Sequence, residues 1–145
     1  MSEVRQPDAI SARYSHARPR SQAQFDRDRQ VMPGGVKGAY YHTPYPLTMD
    51  RGDGCHVWDV DGHRYVDFAN HHTAQVLGHN HPAVTEAMAT QLRRGLALGA
   101  PMGNEVELAE VMCGRVKSLA RVRFCNSGTE ATLHAIRLAR GFTDR

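Results

Sequence analysis

Lysine is almost missing from this chain of 145 residues: 18 residues are lysine or arginine, and only Lys37 and Lys117 among them are lysines. The arginines are scattered and interleaved with acids, leaving a formal net charge of +3 at pH 7. Without a basic stripe or a nucleic-acid module pattern, no nucleic-acid partner is expected. Cysteine is equally sparse. Cys55, Cys113 and Cys125 are odd in number and show no C-x-x-C spacing, which argues against a disulfide framework and for a reduced, cytoplasmic setting. No apolar run approaches the roughly 18 residues that would suggest a membrane span, and the N-terminus lacks the apolar core of a secretory signal. Arg5, Arg13, Arg18 and Arg20 lie near serines in the manner of a transit peptide, but Glu3 and Asp8 argue against one. What remains, 41% hydrophobic and 23% charged, is the balance of a soluble globular protein.

The pattern divides into three stretches. Residues 1–20 are polar, without apolar periodicity, and are expected to form a mobile tail. Residues 21–81 begin with a short helix over 21–31, anchored by Phe25 and Val31 and ended by Pro33-Gly34-Gly35. The aromatic, proline-punctuated connector 40–46 is too stiff and apolar for a plain linker and is expected to lie over a surface or pocket. Residues 56–60 and 63–68 flank Asp61-Gly62, a hairpin signal whose two turn residues accept positive φ. Trp58, Val60, Tyr65 or Val66, and Phe68 are its expected buried side. Residues 69–81 form a histidine-rich loop. From 82 to 145 the pattern is helical. Pro82 takes a first helical position, Val84, Ala87, Met88 and Leu92 follow at helical spacing, and Gly95 stops the run. Asn104-x-x-Glu107 offers a capping box ahead of the stripe Leu108, Val111 and Met112, which runs to about Val116.

The most specific stretch is Val122-Arg123-Phe124-Cys125-Asn126-Ser127-Gly128-Thr129-Glu130-Ala131. It reads as a short buried strand over 121–125, a tight turn, and the first turn of an amphipathic helix carrying Leu133, Ile136 and Ala139 and fading at Gly141. That geometry aims free backbone N–H groups at one point, where a helix N-terminus favours an anion such as phosphate. Ser127-x-x-Glu130 also fits a capping box, which needs no ligand. A strand feeding a helix is half of a βαβ unit, and parallel sheets need neighbours and are covered on both faces. No second such strand follows in this sequence. The three helical stripes therefore lack the sheet they would face, and the chain is expected to be the N-terminal part of a longer α/β protein. A complete helical domain with one hairpin is the alternative.

Residues 126–132, followed by Ala135-Ile136-Arg137-Leu138-Ala139-Arg140-Gly141, resemble the cofactor-phosphate segment of class III aminotransferases, which use pyridoxal phosphate (PLP). Glutamate-1-semialdehyde aminomutases carry nearly this string. Met32-Pro33-Gly34-Gly35 resembles a glycine loop of that family, residues 58–68 its N-terminal hairpin, and residues 78–84 the start of its next helix, in the right order over about residues 25–145. The resemblance implies an α/β chain of PLP-dependent transferase fold type I (aspartate aminotransferase-like), holding only the N-terminal segment and the start of the large cofactor-binding domain. It implies PLP as cofactor, with Ser127, Gly128 and Thr129 as phosphate ligands and Asn126 and Glu130 as supports for the turn. It also implies a small-molecule amino donor and acceptor, and a homodimer with active sites at its interface. PLP chemistry needs a Schiff-base lysine and an acid on the ring nitrogen. In the family both come well after the phosphate segment, and neither Lys37 nor Lys117 matches. No catalytic residue is therefore assigned here, and the chain alone is expected to be inactive.

Substrate recognition is half visible. The family's aminomutases carry a serine and an arginine shortly after the glycine loop, where this chain has Lys37-Gly38-Ala39-Tyr40-Tyr41. An aromatic is usual before the middle of the loop preceding Gly78-His79, where His71-His72-Thr73-Ala74-Gln75 stands. Residues 44–48 and 51–54, with Thr73-Ala74, are closer to β-amino-acid aminotransferases such as the β-phenylalanine enzymes. A transaminase is therefore expected ahead of an aminomutase, with Tyr41, His71 and His72 as substrate-pocket candidates. Two other classes compete. His71, His72, His79 and His81 could suggest zinc, but His71 and His72 would point apart in an extended loop and no cysteine stands at ligand spacing, so no metal is expected. A nucleotide-binding module on the same helix start would want a G-x-x-x-x-G-K or G-x-G-x-x-G loop, and neither is present.

Overall fold

The structure, a computed structural model, describes residues 8–36 and 43–145. The chain divides into two compact units between Arg94 and Gly95. The first opens with helix α1 (Ala9–Ala17), whose N-cap Asp8 accepts a hydrogen bond from the Ser11 N–H at 2.7 Å. The polar stretch expected as a mobile tail thus carries a capped helix. It is tied to the rest by polar contacts, the Tyr14 hydroxyl to Tyr45 O, the Tyr45 hydroxyl to Ser15 O and its C-cap Arg18 to Tyr65, rather than by an apolar stripe, which is why no periodicity announces it. Helix α2 (Pro19–Val31) starts on a proline, which has no N–H to leave unpaired. A 3₁₀ turn, Pro33–Gly35, ends it.

Three antiparallel strands follow in the order β1 (Met49–Asp53), β2 (His56–Asp59) and β3 (Arg64–Val66). The expected hairpin is β2–β3, and β1 supplies the third strand that a lone hairpin needs. Its loop differs from the two-residue turn expected. Val60, Asp61 and Gly62 form a three-residue connection closed by Gly62 N–H to Asp59 O at 3.0 Å and Asp59 N–H to His63 O at 3.1 Å. Only Gly62 takes a positive φ, 92°, the arrangement usual for three-residue hairpin loops.

The buried side differs from the expected one at Asp59, Val66 and Phe68, while Tyr65, one of the two alternatives, does face inward and Trp58 and Val60 are half-buried. Asp59 is 2% exposed, whereas Phe68 is 92% exposed and Val66 is exposed. Arg51, directly across from Trp58 on β1, lays its guanidinium 3.6 Å from the indole centroid and covers that face. Asp59 tolerates burial because both of its carboxylate oxygens are hydrogen-bonded. The Tyr65 hydroxyl donates to it at 2.6 Å and the His63 N–H at 2.8 Å, with the His63 ring nitrogen at 3.0 Å. Arg18 in turn donates to the Tyr65 hydroxyl oxygen at 3.1 Å. Tyr45, 3% exposed, stacks on Phe25 and donates its hydroxyl to Arg18 O at 3.1 Å. The centre of this unit is therefore a polar and aromatic junction between α1, α2 and the sheet.

After β3 comes α3 (Asn70–Thr73), a single turn in the left-handed region, then α4 (Pro82–Arg94), which begins on its proline as expected. The second unit holds α5 (Gly103–Arg115) and α6 (Gly128–Thr143). α5 starts one residue before Asn104, with Met102 at its N-cap and no side-chain cap, so the second capping box does not form. α6 runs through Gly141, where it was expected to fade. Residues 121–125 precede α6 as expected but pair with no strand, because a ladder needs a neighbour that the described residues do not offer. No residue from 95 to 145 is buried.

Candidate functional site

The turn into α6 is built by a reciprocal cap. Ser127 has extended backbone and its hydroxyl oxygen accepts from the Glu130 N–H at 3.2 Å. The Glu130 carboxylate reaches back to the Asn126 N–H at 2.6 Å, one residue earlier than the usual box. The Cys125 thiol lies 3.6 Å from Ser127 O, and the Thr132 hydroxyl donates to Gly128 O at 2.9 Å. These contacts use the supports and leave the tip unengaged. Among the described residues the backbone N–H groups of Gly128 and Thr129 have no acceptor. A Cβ built on Gly128 would meet nothing within 4 Å. Ser127, Gly128 and Thr129 are all exposed. The result is a helix start whose first N–H groups are exposed and unengaged, the donor set that a helix N-terminus can offer an anion.

The first unit carries a cleft of about 990 Å³. Met32, Val36, Leu47 and Val57 give it apolar wall, while Arg51, His71, His72 and His79 give it polar wall. Both candidate histidines therefore line it. They do not point apart: their ring centroids are 6.1 Å apart, edge to face. The loop is not extended there. Asn70, His71, His72 and Thr73 have φ of 45°, 48°, 55° and 68°, a left-handed turn that costs about 1–2 kcal/mol per residue for side chains with a Cβ. Tyr41, the third candidate, lies outside the described residues.

Asp67, which the sequence assigns to no site, and His79, which it raises only as a rejected zinc ligand, hold this corner. Asp67 Oδ2 lies 2.7 Å from His79 Nε2. That hydrogen bond is the main cause that lowers the Asp67 carboxyl below its usual 3.8, helped by the Asn70 and Ala69 N–H groups. The signal that could have found Asp67 is its position two and three residues before Ala69 and Asn70, the spacing of an Asx turn. Among the described residues, no group of three or more His, Cys, Asp or Glu side chains could hold a metal ion, and no helix is long and apolar enough to cross a membrane.

Residues 38–145 match the family model of the class-III aminotransferases, and the chain belongs to that family. A curated relative, the glutamate-1-semialdehyde 2,1-aminomutase of Chloroflexus aurantiacus, is 46% identical over 140 residues, covering 94% of this chain and 31% of the relative. A β-phenylalanine aminotransferase from Variovorax paradoxus superposes with a TM-score of 0.88 at 40% identity, covering 93% of this chain and 32% of that one. A transaminase solved with PLP bound gives a TM-score of 0.84 at 41% identity, covering 88% and 30%. The chain thus spans 31% of the length of the first of these relatives. Its fold is the fold-type-I architecture expected from the sequence, represented by helices and a small sheet.

Proposed function

We propose that this chain supplies the cofactor-phosphate turn and part of the substrate wall of a PLP-dependent transaminase, which moves an amino group between an amino acid and a keto acid or aldehyde. The observation that carries the reading is the pair of unengaged N–H groups on Gly128 and Thr129, with open space in front of Gly128. A phosphate dianion fits that donor set. Bound PLP supplies an aldehyde to take up the amino group and a ring that draws off electrons. The chain's own residues hold and orient it. The Gly128 and Thr129 N–H groups and the Thr129 hydroxyl donate to phosphate oxygens. Ser127 accepts from Glu130 and keeps its own hydroxyl proton to donate. Glu130 is engaged by Asn126, so its charge braces the turn.

The mixed wall of the cleft supports an apolar substrate bearing a carboxylate, such as a β-amino acid. Imidazoles of His71 and His72 can donate to that carboxylate, and Met32, Val36 and Leu47 can cover the apolar part. The catalytic lysine and the ring-nitrogen aspartate are proposed to lie outside these 145 residues, and the chain alone to be inert. The working form is proposed to be a cytoplasmic homodimer, a setting that suits three free thiols.

The test is the full-length protein with PLP. Visible absorbance that survives dialysis, and amino transfer from β-phenylalanine to a 2-oxo acid, are expected. Loss of all cofactor on dialysis overturns the reading. A second reading, intramolecular amino transfer as in an aminomutase, draws on the 46% identity to the Chloroflexus relative. It predicts turnover of glutamate-1-semialdehyde with no added acceptor.

A further inference from the structure

The turn α3 (Asn70–Thr73) puts four consecutive side-chain-bearing residues in the left-handed region. Asn tolerates that region, but Thr73 is β-branched, and at φ 68° it is a genuine outlier. Such a turn persists only where its surroundings over-determine it. The surroundings are specific. Asp67 Oδ1 accepts from the Ala69 N–H at 3.0 Å and the Asn70 N–H at 2.9 Å, which fixes the direction in which the chain enters the turn. Asp67 Oδ2 takes His79 Nε2 at 2.7 Å. An ionised carboxylate has only acceptors, so the imidazole proton sits on Nε2.

His79 is itself held on two sides. Its backbone exchanges hydrogen bonds with Gly54, N–H to O at 2.8 Å and O from N–H at 2.9 Å. Its ring lies against Gly52, where a Cβ would stand 2.6 Å from the ring. Gly78, at φ 80°, lets the chain come this close, since a Cβ there would stand 2.8 Å from Gly54 O. The β1–β2 corner thus fixes His79, His79 fixes Asp67, and Asp67 fixes the turn that carries His71 and His72.

We propose that Asp67 and His79 are positioning residues that hold the left-handed turn and so set His71 and His72 on the cleft wall to receive the substrate carboxylate. This rests on the reading of the cleft as substrate wall. Neither residue reacts: both Asp67 oxygens are taken by N–H groups, and the His79 ring is packed on Gly52.

The test uses the full-length holoenzyme. His79→Ala is expected to raise KM for the amino donor by about tenfold or more, the loss that goes with a hydrogen bond to a charged group, while kcat and PLP affinity hold. His79→Gln can place an amide N–H where Nε2 stood and is expected to restore KM to within about twofold. Thr73→Gly removes a φ penalty from the turn, so the double variant Thr73→Gly/His79→Ala is expected to recover most of the KM loss. Gly52→Ala keeps both side chains of the pair but pushes the His79 ring away from its seat and is expected to raise KM in the same direction, which gives a second variant if His79→Ala does not fold. An unchanged KM in His79→Ala or Gly52→Ala overturns the proposal. So does a rise in KM accompanied by a fall of both kcat and PLP affinity that Thr73→Gly does not relieve. Histidine ring NMR shifts separate this inference from the functional reading. Even in a protein that retains no PLP, the His71 and His72 signals must move in His79→Ala and return in the double variant, and signals that stay put overturn the positioning role.

Discussion

The carboxylate of Asp61 caps a helix that starts about forty residues before it: its Oδ2 accepts from the Ser21 N–H at 3.0 Å and from the Ser21 hydroxyl at 2.7 Å. Oδ1 accepts from the Arg20 N–H at 2.8 Å. The residue at the N-cap position of α2, Arg18, makes no side-chain cap bond. A hairpin-loop carboxylate therefore does in space what a local cap does in sequence, and its charge suits the helix N-terminus. Ser21 is fully buried beneath it.

Asp61→Ala should cost about 0.5–2 kcal/mol, the range for losing a helix N-cap. Amide hydrogen exchange across α2 checks it: exchange should speed up from Arg20 onward. Asp61→Asn, which keeps an acceptor, should lose less. Exchange in α2 that ignores Asp61→Ala would show that the cap contributes nothing.

The buried Asp59 makes Tyr65 the second test. Tyr65→Phe strips the 2.6 Å hydrogen bond from a carboxylate whose side chain is fully buried. A hydrogen bond to a charged group is worth about 1.5–3 kcal/mol, and a loss of that order is expected in a urea melt followed by Trp58 fluorescence. Arg18→Ala, which acts on Asp59 mainly through the Tyr65 hydroxyl, should cost less.

Acid should release this junction within a defined window. Burial pushes Asp59 and Asp61 up, but hydrogen bonds outweigh it: Tyr65 and His63 on Asp59, Ser21 and Arg20 on Asp61. Both carboxyls, and Asp67, therefore sit below their usual 3.8. A depressed carboxylate contributes stability that is full above its unfolded pKa and is lost as pH falls through its folded one. Stability should be flat from neutrality down to about that usual value and fall below it. Trp58 fluorescence against pH checks this, and a transition well above pH 4 would contradict the assigned protonation states.

The contrast between what could and could not be read from sequence follows from the range of each signal. Helix starts at Pro82 and Ser127, the stop at Gly95, and the place of the β2–β3 hairpin are local, and they were legible. The Ser127–Glu130 cap was legible for the same reason. Asp59 was not, because its burial depends on Tyr65, His63 and Arg18 converging from three elements. The left-handed turn at His71 and His72 was not, because Asn and His only tolerate positive φ in single positions, the β-branched Thr73 opposes it, and the contacts that hold the turn come from Asp67 and His79. The strand expected at 121–125 fails on a different ground: its pattern is right, but a strand is a property of a pair.

Thr129→Ala in the full-length protein tests the phosphate turn. Removing one hydroxyl donor to an anion should weaken PLP retention by roughly tenfold to a hundredfold, from about 1.5–3 kcal/mol. The fold should survive, since no side-chain bond of Thr129 holds α6 among the described residues. Glu130→Ala should act differently, by freeing the Asn126 N–H and loosening the turn, and should lower both PLP retention and α6 protection. Cofactor affinity that is indifferent to Thr129→Ala would move the phosphate elsewhere.

The second unit makes the strongest prediction for the 145-residue chain itself. Leu133 and Ile136 are each 53% exposed and Leu138 is 76% exposed on α6, and Leu108 and Val111 are exposed on α5. Each large apolar side chain left in water forgoes about 1.5–3 kcal/mol of burial. A helix of 13 or 16 residues, the lengths of α5 and α6, is marginal in water without such packing. The first unit has its junction of Asp59, Tyr65, Tyr45 and Asp61, whereas the second has no buried side chain to resist opening. Hydrogen exchange should therefore be fast throughout 95–145 while α2 and the sheet stay protected. An apolar dye should bind strongly, and the circular-dichroism melt should lack a single cooperative step. Slow exchange in α5 and α6 together with one sharp transition would mean that these faces are covered in solution, and self-association measured by sedimentation would then identify the cover as a second copy.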